Sequence, residues 1–194
     1  REVALNLYKG KCGLHHNECR DRYISDLCGY VHSWEVDYEK ILTHAQYNCM
    51  PHHGFYVLDA VFEALKKAKV SKDFLENHNV SLIVSNDSEC YESQTVVNHV
   101  DEGDYNRNLP VTTLFRSLNS TISMNLATIL GIHGLSLTVS AACAGGGHAI
   151  GLAKMLFDSK QTEMVIVIGA QETTSNYCME AFDALGVFSP DNVQ

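Results

Sequence analysis

Apolar residues recur at helical spacing most clearly in HGFYVLDAVFEALKKA, residues 53–68, where Phe55, Leu58, Val61, Phe62 and Leu65 fall on one stripe. Lys66, Lys67 and Lys69 close that stretch, and cations suit the negative end of a helix dipole. The pattern predicts an amphipathic helix. In NVSLIVSND, residues 79–87, the period changes. A short β-branched, apolar run ended by turn residues reads as a buried strand. From Asp87 to Pro110 the chain is polar and irregular, which predicts a long surface excursion of the kind that often carries function. LFRSLNSTISMNLATILG, residues 114–131, predicts a helix stopped by Gly131.

The last patterned region is LTVSAACAGGGHAIGLAKML, residues 137–156. The runs LSLTVSAA and EMVIVIGA flank it, making a strand, helix, strand unit. Both strands are continuously apolar, as parallel strands covered on both faces are. Between Ala144 and Phe157 apolar residues point nearly all round, which predicts a buried helix. Cys143 stands at the first turn of that helix, where unsatisfied backbone N–H groups and the positive dipole end stabilise a thiolate and lower its pKa. That chemistry makes a nucleophile. The same position suits a small buried hydrophobe in a tight turn, and spacing alone leaves both readings open. Gly145, Gly146 and Gly147 each cost about 1 kcal/mol against alanine in a helix interior, so they imply a close approach to the backbone.

A chain of 194 residues with 45% hydrophobic content suits one domain, residues 1–194, or part of a larger one. The formal net charge of -9, without a lysine/arginine block, excludes a nucleic-acid binder, because neutralising phosphates needs concentrated basic surface. Small molecules or proteins are the expected partners. No stretch approaches the roughly 18 consecutive apolar residues of a membrane span, and REVALNLYKG lacks a signal-peptide core. A soluble, cytoplasmic chain is expected. The 7 cysteines are odd in number and scattered, which fits reduced thiols. Cys12, His15, His16 and Cys19 in KCGLHHNEC have zinc-compatible spacing. No second ligand pair follows, so a polar loop is the expected reading, with no metal and no cofactor. His52 and His53, after Pro51, read as an exposed helix start.

GIHGLSLTVSAACAGGGHAIGLA, residues 131–153, closely resembles the active-site segment of the β-ketoacyl-acyl carrier protein synthases, condensing enzymes of the thiolase fold. In that family the cysteine of a TACxxGxHAIG-like motif is the acylated nucleophile. The similarity extends to LYKGKCGL, GYVHSW, NCMPHHGFYVLDAVFEALKKAKV and IVIGAQETTSNYCMEAFDALGVFSPDN, nearly the whole chain. The resemblance implies an α/β fold, a thiolase-like α/β/α layered N-terminal half with a mostly parallel sheet. That half is incomplete at both ends, its first strand and the C-terminal half lying outside residues 1–194.

By the same resemblance Cys143 accepts the acyl group, its backbone N–H helps hold the oxyanion, and Phe182 lies along the acyl tunnel. His148 is a recurrent family residue for which helix burial implies packing. None of the 10 histidines stands at the positions that assist malonyl decarboxylation, so residues 1–194 alone are expected to be inactive. The implied partner is an acyl carrier protein or another acyl thioester, in fatty acid or polyketide biosynthesis. Leu135–Ala141 is expected at a sheet edge that pairs with its copy in a homodimer. Leu135 replaces a usual proline. His44, Asn48 and Cys49 stand where related enzymes carry basic residues before the methionine matching Met50; Lys66, Lys67, Lys69 and Lys72 form either a different basic surface or a solvated face. AACAG also resembles the coenzyme A-primed initiating synthases, whereas GHAIG favours the elongating branch. The alternative is a non-catalytic chain-length-factor-like or structural partner of a synthase: such partners typically replace the cysteine, which is retained here, while the second half lying outside residues 1–194 keeps a structural role open.

Overall fold

The computed structural model describes residues 2–29, 36–102, 109–173 and 175–190. In chain order its elements begin α1 (Glu2–Tyr8), β1 (Leu14–His16), β2 (Leu27–Gly29), α2 (Tyr38–Ile41), α3 (His44–Cys49), α4 (His52–Ala68) and α5 (Lys72–Asn77). They continue with β3 (Val80–Ser85), α6 (Cys90–Asp101), α7 (Thr113–Arg116), α8 (Thr121–Leu130), β4 (Ser136–Val139), α9 (Gly145–Asp158), β5 (Met164–Gly169) and α10 (Asn176–Ala184). The chain forms two compact units, one of Trp34–Ser175 and one of Arg1–Ser33 with Asn176–Gln194.

The larger unit is organised on β3, whose six residues are all buried. It pairs in parallel with β4 on one side and β5 on the other, Val84 standing opposite both Thr138 and Ile168. Alternation along a strand sends successive side chains to opposite faces. Val80, Leu82 and Val84 accordingly join Leu58 and Val61 of α4 and Ile122 and Leu126 of α8 in the main core. Ile83 points the other way, against Ala149 and Ala153 of α9. The result is helix, sheet, helix layering with a parallel sheet, as expected. β4 and β5 are only partly buried, so the expectation that these two strands are covered on both faces is not met; β3, read from sequence as a buried strand, is buried throughout. Among the described residues β4 lies at one edge of this sheet.

Local signals set the element ends. Thr43 and Gln46 form a reciprocal capping box at α3, and the Ser71 hydroxyl accepts from the Phe74 N–H at α5. α4 covers the predicted stripe and stops at Lys69, left-handed with a φ of 58°. α8 stops at Gly131, φ 68°, as predicted, a conformation glycine adopts without steric cost. The single helix expected over 114–131 is split into α7 and α8.

Two expectations are corrected. The excursion after Asp87 contains the 12-residue α6. Its sequence has no apolar stripe; distant groups hold it, the Tyr91 N–H donating to Glu172 Oε2 at 3.0 Å and Arg116 pairing with the buried Glu92. α9 is not buried all round. Only Gly145, Ala149 and Ala153 are buried, whereas Ile150 and Met155 are 64% and 65% exposed. Sequence periodicity records that both faces are apolar but not what covers the second.

In the smaller unit β1 and β2 form an antiparallel hairpin, Leu14 opposite Gly29. The strand expected in GYVHSW lies mostly outside the described residues. Asp183 of α10 accepts from the Ile24 N–H at 2.9 Å, and Arg22 pairs with Glu180 at 3.1 Å. Among the described residues no helix is long and apolar enough to cross a membrane.

Candidate active site

Cys143 sits in a 3₁₀ turn, Ala142–Ala144, between the carboxyl end of β4 and the start of α9. It is exposed, which overturns the reading of a small buried hydrophobe. The residue before it, Ala142, has a φ of 46°. An alanine there is strained by about 1–2 kcal/mol, so the surroundings must hold the turn. They do so through Asp87 at the exit of β3: its Oδ1 accepts from the Ser140 hydroxyl at 2.5 Å and from the Ala142 N–H at 3.1 Å.

The turn feeds directly into α9. Gly145 is buried, and a Cβ there would overlap the Ser85 hydroxyl, which accounts for the glycine. Gly146 and Gly147 have open space around them within the described residues, so the expected close approach holds for the first glycine only. Cys143 opens on a shallow cleft of about 530 Å³ lined by Ala144, Gly147, His148, Gly151, Leu152 and Met155. His148 is exposed and shares this cleft, contrary to the packing role expected from a buried helix.

Beneath the turn lies a buried polar layer. Asn86 is fully buried, its amide donating to Glu89 Oε1 at 2.8 Å and to the Asn119 carbonyl at 3.1 Å. Asn119 returns a bond from its own amide to the Asp87 carbonyl at 2.9 Å. His53 Nδ1 lies 3.5 Å from Glu89 Oε2. Burial lowers the His53 pKa to about 4 and raises that of Glu89 to about 8. At neutral pH both are uncharged, so this is a neutral contact and not an ion pair. His53 is therefore not an exposed helix-start residue. α4 turns it inward over the β3 exit, while His52 stays exposed.

Residues 34–194 match the family model described as "Beta-ketoacyl synthase, N-terminal domain". The chain belongs to this family. The β-ketoacyl synthase relatives include 3-oxoacyl-[acyl-carrier-protein] synthase 1 of Buchnera aphidicola subsp. Acyrthosiphon pisum, 24% identical over 97% of this chain and 47% of that protein. Probable polyketide synthase 24 of Dictyostelium discoideum is 26% identical over 70% of this chain and 5% of its own. Among solved structures, the ishigamide ketosynthase/chain length factor aligns with a TM-score of 0.83 at 19% identity, covering 98% of this chain and 47% of its own. A β-ketoacyl synthase from Burkholderia phymatum STM815 aligns at 0.80 and 16% identity, with the same coverage. These likenesses give the thiolase-like fold. The chain spans about half the length of the curated 3-oxoacyl synthase relative, 47%.

Of the residues singled out from sequence, Cys143 and His148 share one cleft. Phe182, on α10, is 41% exposed and belongs to the other unit. The Cys12–Cys19 stretch is engaged locally: Cys12 Sγ accepts from the Leu14 N–H at 3.4 Å, and His16 bonds Asp26 at 2.9 Å. No group of three potential metal ligands forms among the described residues. Sequence reading missed Asp87, Asn86, Asn119 and Glu89. The available signal was an Asn-Asp pair at the carboxyl end of a buried strand, the side of an α/β sheet where sites form.

Proposed function

We propose that this chain is the acyl-accepting half of a β-ketoacyl synthase, with Cys143 as its nucleophile. The observation that carries the reading is the exposed Cys143 on a turn between a parallel strand and the N-terminus of α9, at the mouth of a cleft. The thiol gives up its proton and attacks the carbonyl carbon of an acyl thioester. A new S–C bond forms, the donor's thiolate leaves and takes the proton, and backbone N–H groups at the turn steady the oxyanion. The acyl group then passes to the carbanion left when a malonyl thioester loses CO₂: a C–C bond forms and the bond to Cys143 breaks. An acyl carrier protein is the expected donor.

The test is acylation of the complete protein by an acyl N-acetylcysteamine thioester, followed by peptide mapping. The acyl mass should fall on the Cys143 peptide and vanish in Cys143→Ser. The exposed thiols Cys12 and Cys19 serve as internal references. Equal labelling of all three, or a mass gain that survives Cys143→Ser, would overturn the assignment.

A further inference from the structure

We propose that Asp87 is a positioning residue for Cys143: its carboxylate clamps the turn Ser140–Ala144 in the strained shape that presents the thiol. The role in acyl transfer rests on the reading of Cys143 given above; the clamp itself does not.

Residues 141–144 are Ala, Ala, Cys and Ala, and no side chain among them offers an oxygen to the backbone. A turn of this kind ordinarily holds itself with Asn, Asp or Ser side chains. Here the acceptor comes from 55 residues earlier in the chain, the separation of Ala142 and Asp87. Asp87 Oδ1 takes the Ala142 N–H, the amide of the residue whose φ is 46°. It also takes the Ser140 hydroxyl, so the two bonds bracket Ala141. One acceptor thereby fixes the first residue of the turn and the strained residue within it. The backbone bonds within the turn run from the Ala144 N–H to the Ala141 carbonyl and from the Gly145 N–H to the Ala142 carbonyl; neither engages the Ala142 N–H, which Asp87 takes.

A clamp works only if its base is stiffer than what it holds. The Asp87 carbonyl is tied to Asn119, the preceding Asn86 N–H donates to the Val139 carbonyl at 3.1 Å, and the Asn86 side chain is buried between Glu89 and Asn119. Asp87 therefore projects from a loop with no slack. Its other oxygen, Oδ2, lies 3.9 Å from the place a Cβ on Gly145 would occupy, so the carboxylate also sits beside the first residue of α9. There its charge complements the helix dipole.

Substitution separates the geometry of the carboxylate from its charge. If the clamp is the point, Asp87→Asn keeps an oxygen able to accept both bonds and should preserve function, while Asp87→Ala should not.

The experiment uses the complete protein with two readouts: acyl transfer to Cys143 from an acyl N-acetylcysteamine thioester, and amide hydrogen exchange over residues 140–145. Asp87→Ala should slow transfer more than tenfold and raise exchange across the turn. Asp87→Asn should stay within about threefold of the parent in both, and Ser140→Ala, losing one of two bonds, should fall between. Asp87→Ala with parental transfer and exchange would overturn the clamp, as would an Asp87→Asn protein as impaired as Asp87→Ala. If Asp87→Ala does not fold, the graded order of Asp87→Asn and Ser140→Ala still decides, since a merely structural Asp87 would leave Ser140→Ala at the parental rate. If the parent takes no acyl group on Cys143, the nucleophile reading fails while hydrogen exchange still judges the clamp.

Discussion

Two segments leave the carboxyl ends of the neighbouring parallel strands β3 and β4. Asn86–Glu89, after β3, has polar side chains throughout and is anchored by a fully buried asparagine and a nearly buried glutamate. Ser140–Ala144, after β4, is alanine-rich, exposed at Cys143 and held from outside by Asp87. The first spends its polar groups on itself and its neighbours; the second leaves the Cys143 thiol bare. The contrast teaches that the chemistry of one turn is supported by the hydrogen bonding of the other. Substitutions at the buried Asn86 and Glu89 should therefore read out in stability, and those at Asp87 and in the second turn, which Asp87 holds, in reactivity.

The sharpest break is at Asn86. Replacing it with alanine strands Glu89 Oε1 and the Asn119 carbonyl in a buried setting, at about 1–3 kcal/mol for each unsatisfied group. We expect Asn86→Ala to lower stability by about 3 kcal/mol in denaturant unfolding, and an unchanged midpoint would refute the scaffold role.

Next comes pH. Glu89 is raised to about 8 from 4.5, so folding must keep a proton that the unfolded chain has lost. Stability from this group falls as pH rises from 4.5 to 8. His53 is lowered to about 4 from 6.5, so its contribution falls as pH drops from 6.5 to 4. Between 4.5 and 6.5 the two slopes oppose each other, and above 6.5 only Glu89 acts. The slope there approaches about 1.4 kcal/mol per pH unit. Unfolding measured at pH 6.5 and 8 should show a loss of about 2 kcal/mol, which Glu89→Gln should abolish while leaving the acid limb intact.

The smallest effect separates two glycines of the first turn of α9. Gly145→Ala overpacks against Ser85 at about 1–3 kcal/mol, offset by about 1 kcal/mol of helix propensity, for a net loss near 1. Gly147→Ala meets open space and should gain up to about 1 kcal/mol. Thermal unfolding of the pair with equal shifts would contradict the placement of Ser85 under the helix start.

Much of this architecture was legible in local pattern. The stripe of α4, the apolar run of β3, the Gly131 stop and the strand, helix, strand around Cys143 all follow from period and turn residues. What was not legible is contact across long separations. α6 leaves its apolar Tyr91, Val97 and Val100 exposed, and it is held instead by Glu172 and Arg116 from distant parts of the chain. His53 reads like its neighbour His52 until α4 is docked, since one residue of helix rotation decides which imidazole is buried. Asp87 ends a strand as any turn residue does, and only the parallel pairing of β3 with β4 brings it beside Ala142. The family resemblance located Cys143 but carried no information on what steadies it.

The burial of β3 on both faces has a further consequence. Val80, Leu82 and Val84 belong to one layer and Ile83 to the other, and a slip of one residue would exchange them. The strand therefore behaves as a ruler with a fixed zero. Ile83 locks the register against α9, Asp87 stands four residues further on, and the distance from lock to clamp is set by counting residues. Insertions should be rejected between Ile83 and Asp87. The placement of the exposed thiol is thus stored as a length of chain in a different strand from the one that bears it.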